Sequence, residues 1–283
     1  MKYLLANPTG NITALVLSCV RQEEQCAAAL KLMQEEPSAE QVGFISEGKK
    51  GTDASLRMAG GEFCANATMS AAALCALREQ LKTGEEKTFL IRASGMKNAV
   101  EVSVQPLGER TFLCTEKLAS PESIETVFLE SGVIAGEFPL VHFAGISHVI
   151  CEKNIPPAEA ETAVKKWCRE LGTDALGIML LNRDKKSMKP LVYVAKGETL
   201  FWENSCGSGS SAVGAFVAQQ ENAETAISLL QPGGTLSVRC SPGGEISLTG
   251  KVILENEKNL ALHELPQIVR TAQKAPPCRD IKF

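Results

Sequence analysis

An α+β fold made of two similar halves is what this amino-acid sequence predicts, and three observations carry that reading. A cysteine-bearing loop of small and polar residues occurs twice, around Cys64 and around Cys206, half a chain apart in 283 residues. Each loop opens onto a mostly small and apolar run of helical character, and each run is followed by a glycine-containing turn leading into a strand. An internal duplication explains all three at once.

In chain order, Thr13 to Val20 and Val42 to Glu47 read as strands, with a helix over Glu23 to Glu36 between them. The first loop is Glu62-Phe63-Cys64-Ala65-Asn66-Ala67-Thr68, followed by a helix over Met69 to Leu81. Ile91 to Gly95 then leads into a strand over Ala99 to Val104, and Arg110 to Glu116 is a further strand. Ala119-Ser120-Pro121 is turn-like, which places the domain boundary there: residues 1–118 form one domain and 119–264 the other. In the second half, Val141 to Ile150, Gly177 to Leu181 and Leu191 to Ala195 read as strands. Pro156-Pro157 is a loop before a helix over Ala158 to Leu171. The second cysteine loop, Trp202-Glu203-Asn204-Ser205-Cys206-Gly207-Ser208-Gly209-Ser210, precedes a helix over Ser211 to Gln220. Gln231-Pro232-Gly233-Gly234 leads into a strand over Thr235 to Cys240, and Glu245 to Leu254 follows as another. A short helix over Leu265 to Lys274 closes the list. Short strands with one long helix per half imply that each helix packs into a strongly curved sheet.

Composition narrows the function. With 44% hydrophobic residues the chain can bury a sizeable core, and a net charge of −4 lacks the footprint of a nucleic-acid binder. No basic cluster invites an anionic membrane, and no stretch reaches the roughly 18 apolar residues of a membrane span. The opening apolar run stops at Asn7-Pro8, too soon for a signal peptide. A soluble cytoplasmic protein acting on a small molecule is expected, with a homodimer left open. Of the 10 cysteines no two form a CxxC, and the only histidines are His142, His148 and His263, so no metal site is expected. A cysteine chosen blindly is a small buried hydrophobe more often than a reactive group. Function must therefore be argued from local context.

That context is a helix N-terminus, where unpaired backbone N–H groups and the positive dipole end gather anions. The same field favours thiolate and lowers a cysteine pKa below its free value of about 8.5. Two such cysteines on opposite faces of one amino acid would suffice to invert its Cα: one thiolate removes the proton, and the opposing thiol returns one. Backbone amides of Ala65, Asn66 and Ala67 in the first half, and of Gly207, Ser208 and Gly209 in the second, are placed to hold the carboxylate whose charge grows as the proton leaves. No cofactor is expected. A pyridoxal phosphate enzyme needs a Schiff-base lysine and a phosphate cup, whereas Lys49-Lys50-Gly51 and Lys185-Lys186-Ser187 read as solvated charge runs.

At these loops the sequence resembles the diaminopimelate epimerase and proline racemase superfamily, and more closely the histidine racemases of staphylopine-type metallophore biosynthesis. The resemblance includes Asn7-Pro8-Thr9-Gly10-Asn11, Glu40-Gln41-Val42-Gly43-Phe44-Ile45, both cysteine loops and Gln231-Pro232-Gly233-Gly234. It implies two hotdog-like domains, each a barrel-like sheet around a central helix, with the active site in the cleft between them. It also implies that residues 265–283 pack back on the first domain. Carried over residue by residue, Cys64 and Cys206 match the catalytic bases, Asn11 a substrate-contacting asparagine, and Gln41 a side-chain-reading position. Ala65, Asn66, Gly207 and Ser208 match the carboxylate cradle, and His148 resembles the histidine of a Gly-Asn-Pro-His motif. Diaminopimelate epimerases hold the distal carboxylate with an arginine before the second cysteine. Here that region, Ala195 to Asn204, has no arginine, and Glu203, with Glu40 elsewhere, offers acceptors for a cationic or N–H-bearing side chain instead. L-histidine is the leading substrate, with diaminopimelate or another L-amino acid behind it. A ligand-binding relative of the same fold is the non-enzymatic alternative.

Overall fold

A computed structural model describes residues 1–260 except residues 50, 196 and 197. The fold is mixed α+β, and the chain divides into two compact units: residues 1–116 together with the chain from Gly250 onward, and Lys117–Thr249. The expected helix over Leu265 to Lys274 and the returning segment 265–283 lie outside the described residues.

The first unit contains β1 (Lys2–Pro8), β2 (Thr13–Val16), α1 (Gln25–Glu35), β3 (Gln41–Glu47), β4 (Ala54–Met58), α2 (Ala65–Arg78), β5 (Lys87–Ala93), β6 (Val100–Gly108) and β7 (Thr111–Leu118). Strand β2 runs parallel to β3, β3 antiparallel to β4, and β4 parallel to β5, with α1 and α2 in the two parallel crossovers. Strands β5, β6 and β7 then form an antiparallel meander.

The second unit begins with β8 (Ser123–Ser131), β9 (Ile134–Phe143), β10 (Ile146–Cys151), α3 (Pro157–Leu171), β11 (Ala175–Asn182), β12 (Ser187–Val194) and β13 (Thr199–Trp202). It continues with α4 (Gly207–Glu221), β14 (Thr225–Gln231), β15 (Gly234–Cys240) and β16 (Ile246–Leu254), and β17 (Lys258–Asn259) follows. The order parallel, antiparallel, parallel repeats: β10 with β11, β11 with β12, and β12 with β14. Again a helix fills each parallel crossover, α3 and then α4, because parallel strands need a connection of a dozen or more residues. The duplicated loops of the sequence are thus the starts of two equivalent helices.

Those helices are cores in themselves. Every residue of α2 from Ala65 to Ala76 is buried, and the helix packs on β1, β2, β4, β5 and β6. Helix α4 is buried over most of its length and packs on β9, β10, β11, β14 and β15. Small residues make this possible: at Gly214 an added Cβ would lie 2.8 Å from Val238 Cγ1 and 2.9 Å from Cys240 Sγ. The outer helices are ordinary amphipathic ones. Trp167 of α3 is fully buried against Phe138 and donates its indole N–H to the Glu130 carbonyl at 3.0 Å.

Two differences from the sequence reading have physical causes. The helices start directly after the cysteines, at Ala65 and Gly207, several residues before the expected Met69 and Ser211. The intervening hydroxyls stay helical by bonding back to the carbonyl four residues earlier: Thr68 to Cys64 (2.8 Å), Ser70 to Asn66 (2.8 Å), Ser210 to Cys206 (2.7 Å) and Ser211 to Gly207 (2.9 Å). The second unit ends at Thr249, before the expected residue 264. Strand β16 pairs with β15 through Ile246 to Thr249, then with β1 through Val252 to Leu254, and β17 continues the pairing with β1.

Candidate active site

Cys64 and Cys206 occupy the same position on equivalent helices. Each is the N-cap residue in extended conformation, φ −138°, ψ 110° for Cys64 and φ −125°, ψ 110° for Cys206. Each sulfur accepts a backbone N–H three residues on, from Ala67 and from Gly209, both at 3.4 Å. A thiol at this position takes the role usually filled by Ser, Thr, Asp or Asn.

In the first unit, Cys64 is half-buried while Ala65 and Asn66 are buried. The loop entering Cys64 is fixed from behind by Ser94, whose hydroxyl donates to the Glu62 carbonyl at 2.6 Å and accepts the Met58 N–H at 2.9 Å. Gly95 (φ +76°) leaves room for that loop, since a Cβ there would fall 2.6 Å from the Phe63 nitrogen. Asn11 follows the β1 turn, and Glu40 and Gln41 open β3. The Asn11 amide nitrogen donates to Glu40 Oε2 at 2.9 Å; the Asn11 carbonyl oxygen and Gln41 Oε1 are buried with no hydrogen-bond partner among the described residues. This corner is rich in acceptors and receives N–H groups.

In the second unit Cys206 is 5% exposed. Its backbone N–H is held by Gln231 Oε1 at 2.9 Å, and Gln231 Nε2 donates to Ser210 Oγ at 2.9 Å. Ser208 Oγ lies 3.6 Å from the Cys206 sulfur and 3.0 Å from His148 Nε2. His148 is fully buried, which drives its pKa down to about 3, so the imidazole is neutral. Its Nδ1 has no hydrogen-bond partner among the described residues and faces the Cα of Gly177, where a Cβ would lie 2.4 Å away. An unmet acceptor costs less than an unmet buried N–H, so the proton belongs on Nε2. His148 then donates to Ser208, which is free to donate to the sulfur. Glu203 completes this cluster, taking a hydrogen bond from the Cys206 thiol.

The expectation that the helix start lowers the cysteine pKa fails for Cys206. Burial pushes its thiol well above the ordinary value, and the Glu203 carboxylate pushes in the same direction; the Ser208 and Gly209 hydrogen bonds oppose them without prevailing. Desolvation of a thiolate in an enclosed setting outweighs a screened helix dipole. Cys206 therefore rests as a thiol with its proton directed to Glu203.

The structure groups Asn11, Glu40 and Gln41 in one corner of the first unit, Cys64, Ala65 and Asn66 at the α2 start, and His148, Glu203, Cys206, Gly207 and Ser208 at the α4 start. Sequence reasoning missed Gln231 as a site-building residue, although it opens a motif already singled out. Trp202 is half-exposed, and its indole N–H is taken by Glu161 Oε1 at 2.8 Å.

The mixed α+β fold is shared with solved structures of a racemase and of phenazine-biosynthesis proteins. A probable proline racemase from Agrobacterium radiobacter K84, solved with bound carbonate, matches with a TM-score of 0.66 at 13% identity, covering 92% of this chain and 93% of that one. Among curated proteins, a histidine racemase of Fusobacterium nucleatum subsp. nucleatum (strain ATCC 23726) is 34% identical over 243 residues, 83% of this chain and 88% of that protein. The histidine racemase of Staphylococcus aureus (strain Mu50) is 29% identical over 259 residues, 87% and 92% respectively. The family model for the histidine racemase CntK N-terminal domain matches residues 1–269. The chain belongs to that histidine racemase family and is an isomerase, an amino-acid racemase.

Proposed function

We propose that this racemase interconverts L- and D-histidine without a cofactor, using Cys64 and Cys206 as the two proton-transferring groups. The observation that carries the reading is the equivalence of the two cysteine caps in dihedral angles, sulfur hydrogen bonds and the buried small-residue helix behind each. Each unit acts as a hotdog-like domain that offers its cysteine-capped helix start to the substrate. Amides of the first turns, with Asn66 and Ser208, hold the α-carboxylate and stabilise the charge that develops on it.

In one direction the Cys64 thiolate takes the Cα proton and the Cys206 thiol delivers its proton to the other face. The Cys206 thiolate so formed accepts hydrogen bonds from Gly209 and Ser208, the latter backed by neutral His148. In the reverse direction the roles exchange. Asn11, Glu40 and Gln41 supply acceptors for the substrate's N–H groups, which suits an imidazole and gives nothing to a distal carboxylate. The resemblance to staphylopine-type racemases makes an opine-type metallophore the destination of the D-histidine.

Proton NMR of reduced protein in deuterated water with L-histidine tests this, with chiral chromatography of the product. Loss of the histidine Cα–H signal together with D-histidine formation is expected. Exchange with diaminopimelate but not histidine would discard the substrate and keep the chemistry.

A further inference from the structure

The first unit has a second pocket, on the face of β3, β4 and β5 opposite α2, with a volume of about 580 Å³. Alternation along these strands explains it. Ala54, Leu56 and Met58 face inward with Ile91 and Ala93, while Ser55, Arg57, Arg92 and Ser94 face out. Ser55 is registered against Ser46 on one side and Arg92 on the other, which sets Arg57 and Arg92 diagonally on adjoining strands. Lys49 completes the cationic lining, and Glu47 is its one acid.

The charges in this pocket are not internally compensated. The chain as a whole carries more acids than bases, yet Arg57, Arg92 and Lys49 form no ion pair among the described residues. Arg57 Nε is buried and has no hydrogen-bond partner. Two neighbouring guanidinium groups on one sheet face repel each other unless an anion lies between them, and the guanidinium fork matches phosphate and carboxylate oxygens. Hydroxyls from Ser46 and Ser55 add donors.

We propose that this pocket binds the oxyanion group, phosphate or carboxylate, of a small metabolite, at a site separate from the cysteine caps and on the outer face of the sheet. It is tied to the Cys64 loop by two of its own residues. The Arg57 guanidinium packs on Gly61, where a Cβ would lie 3.4 Å from Nη2, and Ser94 holds the Glu62 carbonyl. An anion drawing Arg57 and Ser94 toward itself acts on the loop that carries Cys64.

Titration of isotope-labelled full chain with inorganic phosphate, followed by amide NMR, tests this. Saturable displacement of the Ser55, Arg57, Arg92 and Ser94 amides is expected, with Gly61 and Glu62 moving at the same midpoint. R57Q/R92Q should weaken that midpoint at least tenfold, and the exposed single change R92Q serves the same purpose if the double variant fails to fold. Acetate in place of phosphate distinguishes the ligand: equal response means a carboxylate, response to phosphate alone a phosphate ester. Displacement confined to the first turns of α2 and α4, no saturation at the four amides, or an unchanged midpoint in the variants would overturn the proposal.

Discussion

The starts of α2 and α4 have nearly the same backbone and quite different surroundings. Three residues before the first cysteine stands Gly61, with an arginine against it; three residues before the second stands Glu203, which accepts a hydrogen bond from the thiol. Cys64 is half-buried, whereas Cys206 is enclosed and backed by Ser208 and a neutral His148. The cap geometry is common to both units, and what surrounds each sulfur is not. Two equivalent caps with unequal environments give a resting protein whose second cysteine holds its proton.

The strongest way to break this comparison is to remove either sulfur. C64A and C206A are each expected to lower racemisation by at least a hundredfold, measured by chiral chromatography. If one variant keeps near-full turnover, the caps are equivalent in shape only. G209A sharpens it next: its methyl would meet Met179 Sδ at 2.1 Å, an overpacking expected to cost about 1–3 kcal/mol in chemical denaturation, whereas the matching residue in the first unit, Ala67, already carries one. In E203Q the Cys206 thiol should titrate at lower pH, because a neutral amide no longer opposes the thiolate, although burial, the larger cause, remains. Thiolate absorbance near 240 nm across a pH series, with C64A as background, reads this; an unmoved titration would remove Glu203 from the account.

The smallest effect concerns stability and has opposite signs in the two units. His148 titrates near 3 when folded, so the unfolded chain binds a proton that the folded chain refuses, and stability falls as pH drops below about 6.5. Glu116 of β7 is fully buried with neither oxygen hydrogen-bonded among the described residues, and its pKa is raised well above the ordinary value by that burial. It stays protonated when folded, so stability falls as pH rises past about 4.5. Each slope approaches 1.4 kcal/mol per pH unit at most. H148Q should flatten the acid side of a denaturation-versus-pH curve, and E116Q the neutral side; an unaltered curve in either variant would show that group to be solvated.

Much of this was legible in the residues, and the rest hid for definable reasons. The duplicated loops led directly to the two capped helices, because the same run of cysteine, small residues and apolar helix former recurs half a chain apart. Strand β1 was not read as one because Asn7-Pro8 looks like a stop, yet proline is tolerated at a strand end. Glu116 was visible as the third of the alternating series Phe112, Cys114, Glu116, all on the buried face. The high pKa of Cys206 was not legible, since it depends on how completely the fold encloses the sulfur. Nor was the pairing of β1 with β16, which joins residues about 250 positions apart.

That pairing bears on how the protein is made. Residues 117–249 are contiguous, so the second unit can close as soon as they leave the ribosome. Strand β1, though synthesised first, lacks its β16 and β17 neighbours until Val252 and Asn259 have been added. At about 5–20 residues per second, the opening strand waits roughly ten seconds or more with one edge unpaired. The unit that holds β1 is the one that finishes folding last.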